Sequence, residues 1–139
     1  MSGTAGACAG SSGTPLDRKL GVRPGMRVAL LGEAPEGFED VLGEDVRITR
    51  RLGGSKDMVI LFTRRRHELE GKVEALKRAI APDGMVWVAW PKKASRVPTD
   101  VTEDAVREVV LPTGLVDVKV CAIDDVWSGL KLVIRKERR

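Results

Sequence analysis

The sequence predicts an α/β protein with a doubly wound, mostly parallel sheet, and three observations lead there. Two apolar runs of strand length, Met58 to Phe62 and Met85 to Trp90, lack the alternation of a one-sided sheet, so both read as strands covered on both faces. Between them Leu69, Val73, Leu76 and Ile80 recur at spacings of four, three and four, an amphipathic helix over 65–81. Helical and extended patterns then alternate along the chain, as crossover connections between parallel strands require.

Taken in order, Thr14 is placed to cap a short helix with Pro15 at its first position and Asp17 in its first turn, stopping near Gly21. Arg23, Pro24 and Gly25 form a turn. Met26 to Leu31 is the first strand, followed by the loop Gly32-Glu-Ala-Pro-Glu-Gly37 and a short helix through Leu42. Val46 to Thr49 is a weaker second strand and Asp57 to Phe62 the third. On the long helix, Glu68 with Lys72 and Glu74 with Arg78 are spaced for ion pairs, and Pro82, Asp83 and Gly84 stop it before the fourth strand. Asp100 or Thr102 can cap the next helix, whose apolar face is Val101, Ala105, Val106, Val109 and Val110. Leu115 to Ile123 and Leu130 to Arg135 are the last strands, joined as a hairpin through 124–129.

The bulk properties bound the function. A chain of 139 residues is expected to form one domain, here 14–139, large enough for a core without metal or disulfide staples. Residues 1–13, small and nearly uncharged, are expected to be a disordered tail. With 42% hydrophobic and 32% charged residues the composition is that of a globular domain. No apolar run approaches a bilayer span, and no basic segment followed by an apolar one opens the chain, so neither a membrane partner nor a secretory signal is expected. Cys8 in the tail and Cys121 in a strand sit in unlike settings, which argues against a disulfide and for a reduced, cytoplasmic protein. The net charge of +4 is mild and scattered. Only Arg64, Arg65 and Arg66 form a basic run, better explained by solvation or pairing with Glu68 and Glu70 than by phosphate contact.

Two resemblances follow from particular stretches. Arg23-Pro-Gly-Met-Arg-Val-Ala-Leu-Leu-Gly32, Lys56-Asp-Met-Val-Ile-Leu-Phe62 and Leu76-Lys-Arg-Ala-Ile-Ala-Pro-Asp-Gly-Met-Val-Trp-Val88 resemble successive strand entries of class I S-adenosylmethionine-dependent methyltransferases. The chain is short by one strand and helix. The resemblance implies a trimmed, Rossmann-like sheet of six strands in the order 2-1-3-4-6-5, with strand 6 antiparallel. Trp90-Pro-Lys-Lys-Ala-Ser95, Pro98-Thr-Asp100, Gly114-Leu-Val-Asp-Val-Lys-Val-Cys-Ala122 and Trp127-Ser-Gly-Leu-Lys131 resemble the bacterial domain-of-unknown-function family 3052 over about residues 14–135. That implies a methyltransferase-like domain with no assigned activity.

The methyltransferase pattern holds its cofactor with a glycine-rich loop after strand 1 and an acid ending strand 2. Here Gly32, Glu33 and Gly37 are the weak cofactor-binding candidates, but Ala34 replaces the middle glycine and Pro35 removes an amide donor. Arg50 and Arg51 follow strand 2, with no carboxylate in register. S-adenosylmethionine is therefore expected only as a minority outcome and no cofactor as the main one. With the implied order, the hairpin lies at the carboxyl edge, where open α/β sheets bind ligands. Trp127, Ser128 and Gly129 then approach Trp90, Lys92 and Lys93, a stacking surface beside two ammonium groups suited to a small anionic, planar ligand. The opposing expectation is that Trp127 packs on Trp90 or Pro91 and the lysines are solvated. Ser95, Thr99 and Asp100 are further ligand candidates, or serve as turn and helix caps.

His67, Cys121, Glu33 and Glu36 lack the partners of a catalytic constellation, and no spacing suits a metal, so no catalytic or metal residues are assigned. The leading expectation is a non-catalytic methyltransferase-like domain that binds a small ligand or a protein partner. The alternative is a reduced S-adenosylmethionine-dependent methyltransferase, and the third is nucleic-acid binding through the arginine run and loop lysines.

Overall fold

A computed structural model describes residues 15–136. It contains four α-helices, α1 (Leu16–Leu20), α2 (Phe38–Leu42), α3 (Arg66–Ala79) and α4 (Glu103–Val110). Six strands, β1 (Arg27–Gly32), β2 (Arg47–Thr49), β3 (Lys56–Phe62), β4 (Ile80–Pro91), β5 (Leu115–Ala122) and β6 (Trp127–Ile134), form one sheet in the order β2-β1-β3-β4-β6-β5. β2, β1, β3 and β4 are mutually parallel, and β6 runs antiparallel to both β4 and β5. This is the expected α/β class, strand order and orientation.

The unbroken apolar runs lie in the middle of the sheet, as burial on both faces demands. Met58 to Phe62 are fully buried, as are Val86 to Ala89. On one face Val59, Leu61, Val86 and Val88 pack under Leu69, Val73 and Leu76 of α3 and Val106 and Val110 of α4. On the other, Met58, Ile60, Phe62 and Trp87 pack under Leu20 of α1 and Phe38 and Leu42 of α2. The buried Trp87 Nε1–H donates to the Leu20 carbonyl at 2.9 Å, so its polar atom is satisfied at the C-terminal end of α1.

Several boundaries differ from expectation. Pro15 is the N-cap of α1 without a side-chain cap, and Thr14 and the tail lie outside the described residues. Ile80 leaves the α3 stripe and starts β4, yet stays buried on the same face. Pro82 to Gly84 belong to β4 as an irregularity: the register jumps from Lys56 opposite Ile80 to Met58 opposite Met85. Gly84 is held there because a Cβ would stand 3.1 Å from the Asp57 carbonyl. β6 starts at Trp127, not Leu130, since Asp124 Oδ1 accepts the N–H groups of Val126 and Trp127 and tightens the turn. On α3, neither Glu68–Lys72 nor Glu74–Arg78 forms an ion pair; Glu68 instead accepts from the buried Thr63 hydroxyl.

The cysteine expectation is corrected. Cys121 is buried, but it is disulfide-bonded, with its partner outside the described residues. Unlike settings in the sequence were a poor guide: Cys121 is buried on the face of the sheet that α1 covers. No helix of the described residues is long and apolar enough to cross a membrane.

Candidate functional site at the carboxyl edge

The loops after β1, β2, β3 and β4 and the β5–β6 turn converge on one edge of the sheet. The first loop is drawn onto β3: the Glu33 N–H donates to the Phe62 carbonyl at 2.9 Å. Gly32 makes that approach possible, with φ +79° and a position where a Cβ would lie 2.1 Å from the Phe62 oxygen. Beneath the loop, the first residue of α2, Phe38, meets Phe62 edge to face with centroids 5.0 Å apart. Trp127 also meets Phe62 edge to face, at 5.1 Å and 85°. All three rings are buried.

Ion pairs fix the loops above these rings. Arg64 Nε lies 2.8 Å from Glu33 Oε1 and ties the loops after β1 and β3 together. Arg50, after β2, is ion-paired with Glu39 of α2. A hydrogen bond from its own backbone amide, and then one from Arg50, hold the Glu39 carboxyl below its ordinary range. Arg66, closing the arginine run, bridges Glu70 and Glu108, leaving the neighbouring Arg65 exposed. The run is thus largely spent on internal pairing, with Glu33, Glu70 and Glu108 as the acids and not Glu68.

The segment after β4 docks on the start of α3. Asp100 Oδ1 accepts the Arg66 N–H at 2.7 Å, capping α3 from a distance of 34 residues in sequence. Thr99 Oγ1 donates to the Arg64 carbonyl and accepts from the Val101 N–H. Ser95 Oγ donates to the Lys92 carbonyl and accepts from the Val97 N–H. The three hydroxyl and carboxyl candidates therefore organise the loop, and Thr102, not Asp100, caps α4. Arg64, Arg65, His67, Pro98, Thr99 and Asp100 line a depression of about 500 Å³.

The remaining candidates separate. The Lys92 N–H donates to the Val126 carbonyl, so Lys92 does stand beside the β5–β6 turn; Lys93 is exposed. Trp127 is opposite Pro91, and Ser128 opposite Trp90. Trp90 packs in the core under α3 and α4 while Trp127 packs in the core under α1 and α2, so the sheet separates them. The expectation of an exposed tryptophan platform is corrected: Trp127 is 8% exposed, and its neighbour is Phe62. Gly129 lies beneath Ile123 and Trp87, where a Cβ would meet atoms at 3.0 and 3.1 Å, and serves packing. Gly37 is the left-handed N-cap of α2. Sequence reasoning missed Phe38 and Phe62 as parts of this edge. Their signal was present, an aromatic ending one central strand and another opening the helix that follows the first loop.

Among the described residues no group of histidine, cysteine, aspartate and glutamate could hold a metal. The order of the sheet and its loop-bearing edge define the class: a methyltransferase-like α/β domain. Solved structures agree. A S-adenosylmethionine-dependent methyltransferase from Aquifex aeolicus aligns with TM-score 0.65 at 15% identity, covering 84% of this chain and 87% of that one. A magnesium protoporphyrin IX methyltransferase from Synechocystis PCC 6803, with bound S-adenosylmethionine, aligns with TM-score 0.53 at 14% identity, covering 80% and 71%. A Haloferax volcanii putative methyltransferase in complex with the activator Trm112 aligns with TM-score 0.56 at 13% identity over 86% and 87%. At such identities the likeness is one of fold. The sequence itself places the chain in DUF3052, a family of proteins of unknown function, whose pattern matches residues 33–136. No curated protein matches it.

Proposed function

We propose that this chain is a methyltransferase-fold domain that works by binding, without methyl transfer, through the loops of its carboxyl edge. The observation that carries this reading is the buried Phe38, Phe62 and Trp127 cluster beneath a first loop pulled onto β3. A donor entering over β1 would need that loop to part from Phe62 and its Glu33–Arg64 tie to break. The end of β2 also offers a cation engaged with Glu39 where a ribose would need a carboxylate. Lys92 and Lys93, which form no side-chain ion pair among the described residues, are the groups through which the edge would meet an anionic ligand or partner, beside the loop ordered by Ser95, Thr99 and Asp100. Calorimetric titration with S-adenosylmethionine and S-adenosylhomocysteine tests the reading. We expect no heat and no thermal shift at millimolar ligand; micromolar binding would overturn it. The second reading is a reduced methyltransferase completed by a protein partner. It draws on the similar Haloferax volcanii chain described with its Trm112 activator, and micromolar donor binding would favour it.

A further inference from the structure

Away from the carboxyl edge, the outer end of the sheet carries two lysines that, among the described residues, pair with no acid. Lys119 on β5 stands directly opposite Lys131 on β6, which stands opposite Trp87 on β4. Both lysines face the α1 side, since Leu130 and Leu132, the neighbours of Lys131 along β6, belong to the core under α3 and α4. The Trp87–Leu20 hydrogen bond sets the end of α1 over this stretch, and Arg23, three residues on, lines a depression with Met85 of β4 on the same face. Burial, and then the charges of Lys119 and Arg23, push the Lys131 ammonium below its ordinary value.

Among the described residues none of these three side chains forms an ion pair or hydrogen bond. Among the described residues the nearby acids pair with other cations or with none. Asp57, which shares a depression with Arg23 and Asp83, pairs with Arg27. Asp117, on the same strand as Lys119, is turned to the other face by the register irregularity between them and bonds Arg107 at 2.9 Å. Like charges directly opposite on neighbouring strands destabilise a sheet. Nothing in the packing requires them here, where Val133 shows that an aliphatic residue suits the same face. Val116 and Val133 are half-buried, Val118 is 52% exposed, and β5 is the last strand at that end of the sheet among the described residues.

We propose that the β5–β6 face is a docking surface for an acidic protein segment, whose carboxylates meet Lys119, Lys131 and Arg23 and whose apolar residues cover Val116, Val118 and Val133. Charge complementarity calls for acids, and the adjoining valines call for apolar side chains, which a nucleic-acid backbone lacks. A single strand of nucleic acid would also want exposed aromatic faces for its bases, and all three tryptophans and both phenylalanines are buried. This surface is separate from the carboxyl edge, and the proposal holds whether or not that edge binds a ligand.

The test is fluorescence anisotropy of the full chain with a short labelled peptide alternating glutamate and valine, beside a lysine–valine peptide and a thymidine oligonucleotide. The acidic peptide alone should bind. Lys119→Met with Lys131→Met should weaken it by about ten-fold or more, with a thermal midpoint no lower than the parent's. Lys72→Glu, on α3 across the sheet, should leave binding unchanged. Absence of acidic-peptide binding, or binding indifferent to the double substitution, would overturn the proposal. So would tighter binding of the oligonucleotide with steep salt dependence, which would make this a nucleic-acid surface.

Discussion

The carboxyl edge and the β5–β6 face are opposites in how they treat their polar and apolar groups. At the edge, Glu33 has Arg64, Glu39 has Arg50, Asp100 has the Arg66 amide, and the aromatic rings are packed on one another. On the β5–β6 face, Lys119 and Lys131 have no acid partner among the described residues and Val118 stands half in water. Apart from Lys92 and Lys93, the place where the fold offers a ligand crevice is internally satisfied, while an ordinary stretch of sheet carries unmet charge. Satisfied groups have the least to gain from a partner, and unmet ones the most.

The largest effect that could break this contrast is at Trp127. If the ring is structural, Trp127→Ala should cost about 3–5 kcal/mol, the usual range for emptying a buried aromatic site, read as a fall in the urea midpoint. Unchanged stability would return Trp127 to the pool of ligand-contacting residues and reopen the edge. Next comes Gly32→Ala. It forces an L side chain into a left-handed conformation facing the Phe62 carbonyl, and strain of this kind costs about 1–3 kcal/mol. A neutral outcome would mean the first loop is free to lift away from β3, the movement a cofactor would need.

How far the sequence foretold this contrast depends on the range of the interactions involved. Met58 to Phe62 and Met85 to Trp90 announced central strands, because burial on both faces leaves a local mark in every residue. The sheet order came from the resemblance, since alternation alone does not say which strands neighbour. Facing is where the sequence misled: Trp90 and Trp127 seem adjacent in topology, yet β6 pairs with β4 so that Pro91 and not Trp90 meets Trp127. One residue of register decides the side of the sheet. The Lys119–Lys131 pair was equally hidden. A bulge beside Val118 puts Lys119 on the Lys131 side and Asp117 on the other, and bulges leave little signal in composition.

A smaller effect sharpens the edge. Asp100 caps α3 although it belongs to the loop after β4, so Asp100→Ala should cost about 1 kcal/mol, as loss of a capping acceptor does. Hydrogen exchange should locate that loss in the first turn of α3 and in the loop around Thr99. A loss in ligand response without a loss in stability would instead make Asp100 a binding residue.

The smallest expected change runs in the stabilising direction and probes the other side of the comparison. Lys131→Met removes a like-charge cross-strand pair and should raise stability by about 0.2–1 kcal/mol at neutral pH. Its pH dependence is the stronger signature. The folded-state pKa of Lys131 is lowered, so its charge penalises the native state at all pH values below that pKa. As pH rises from the folded toward the unfolded value, the native state is the first to shed the proton and the penalty fades. The advantage of Lys131→Met should therefore shrink in alkaline urea titrations. Asp117 works oppositely: Arg107 lowers its pKa, so its contribution is present above the unfolded value and lost as pH falls through the folded one. A variant that gains stability at neutral pH while losing the acidic peptide would show that the fold tolerates this charge for the sake of a partner. A variant that gains stability and keeps the peptide would leave the lysine pair as an unrelieved defect of the sheet.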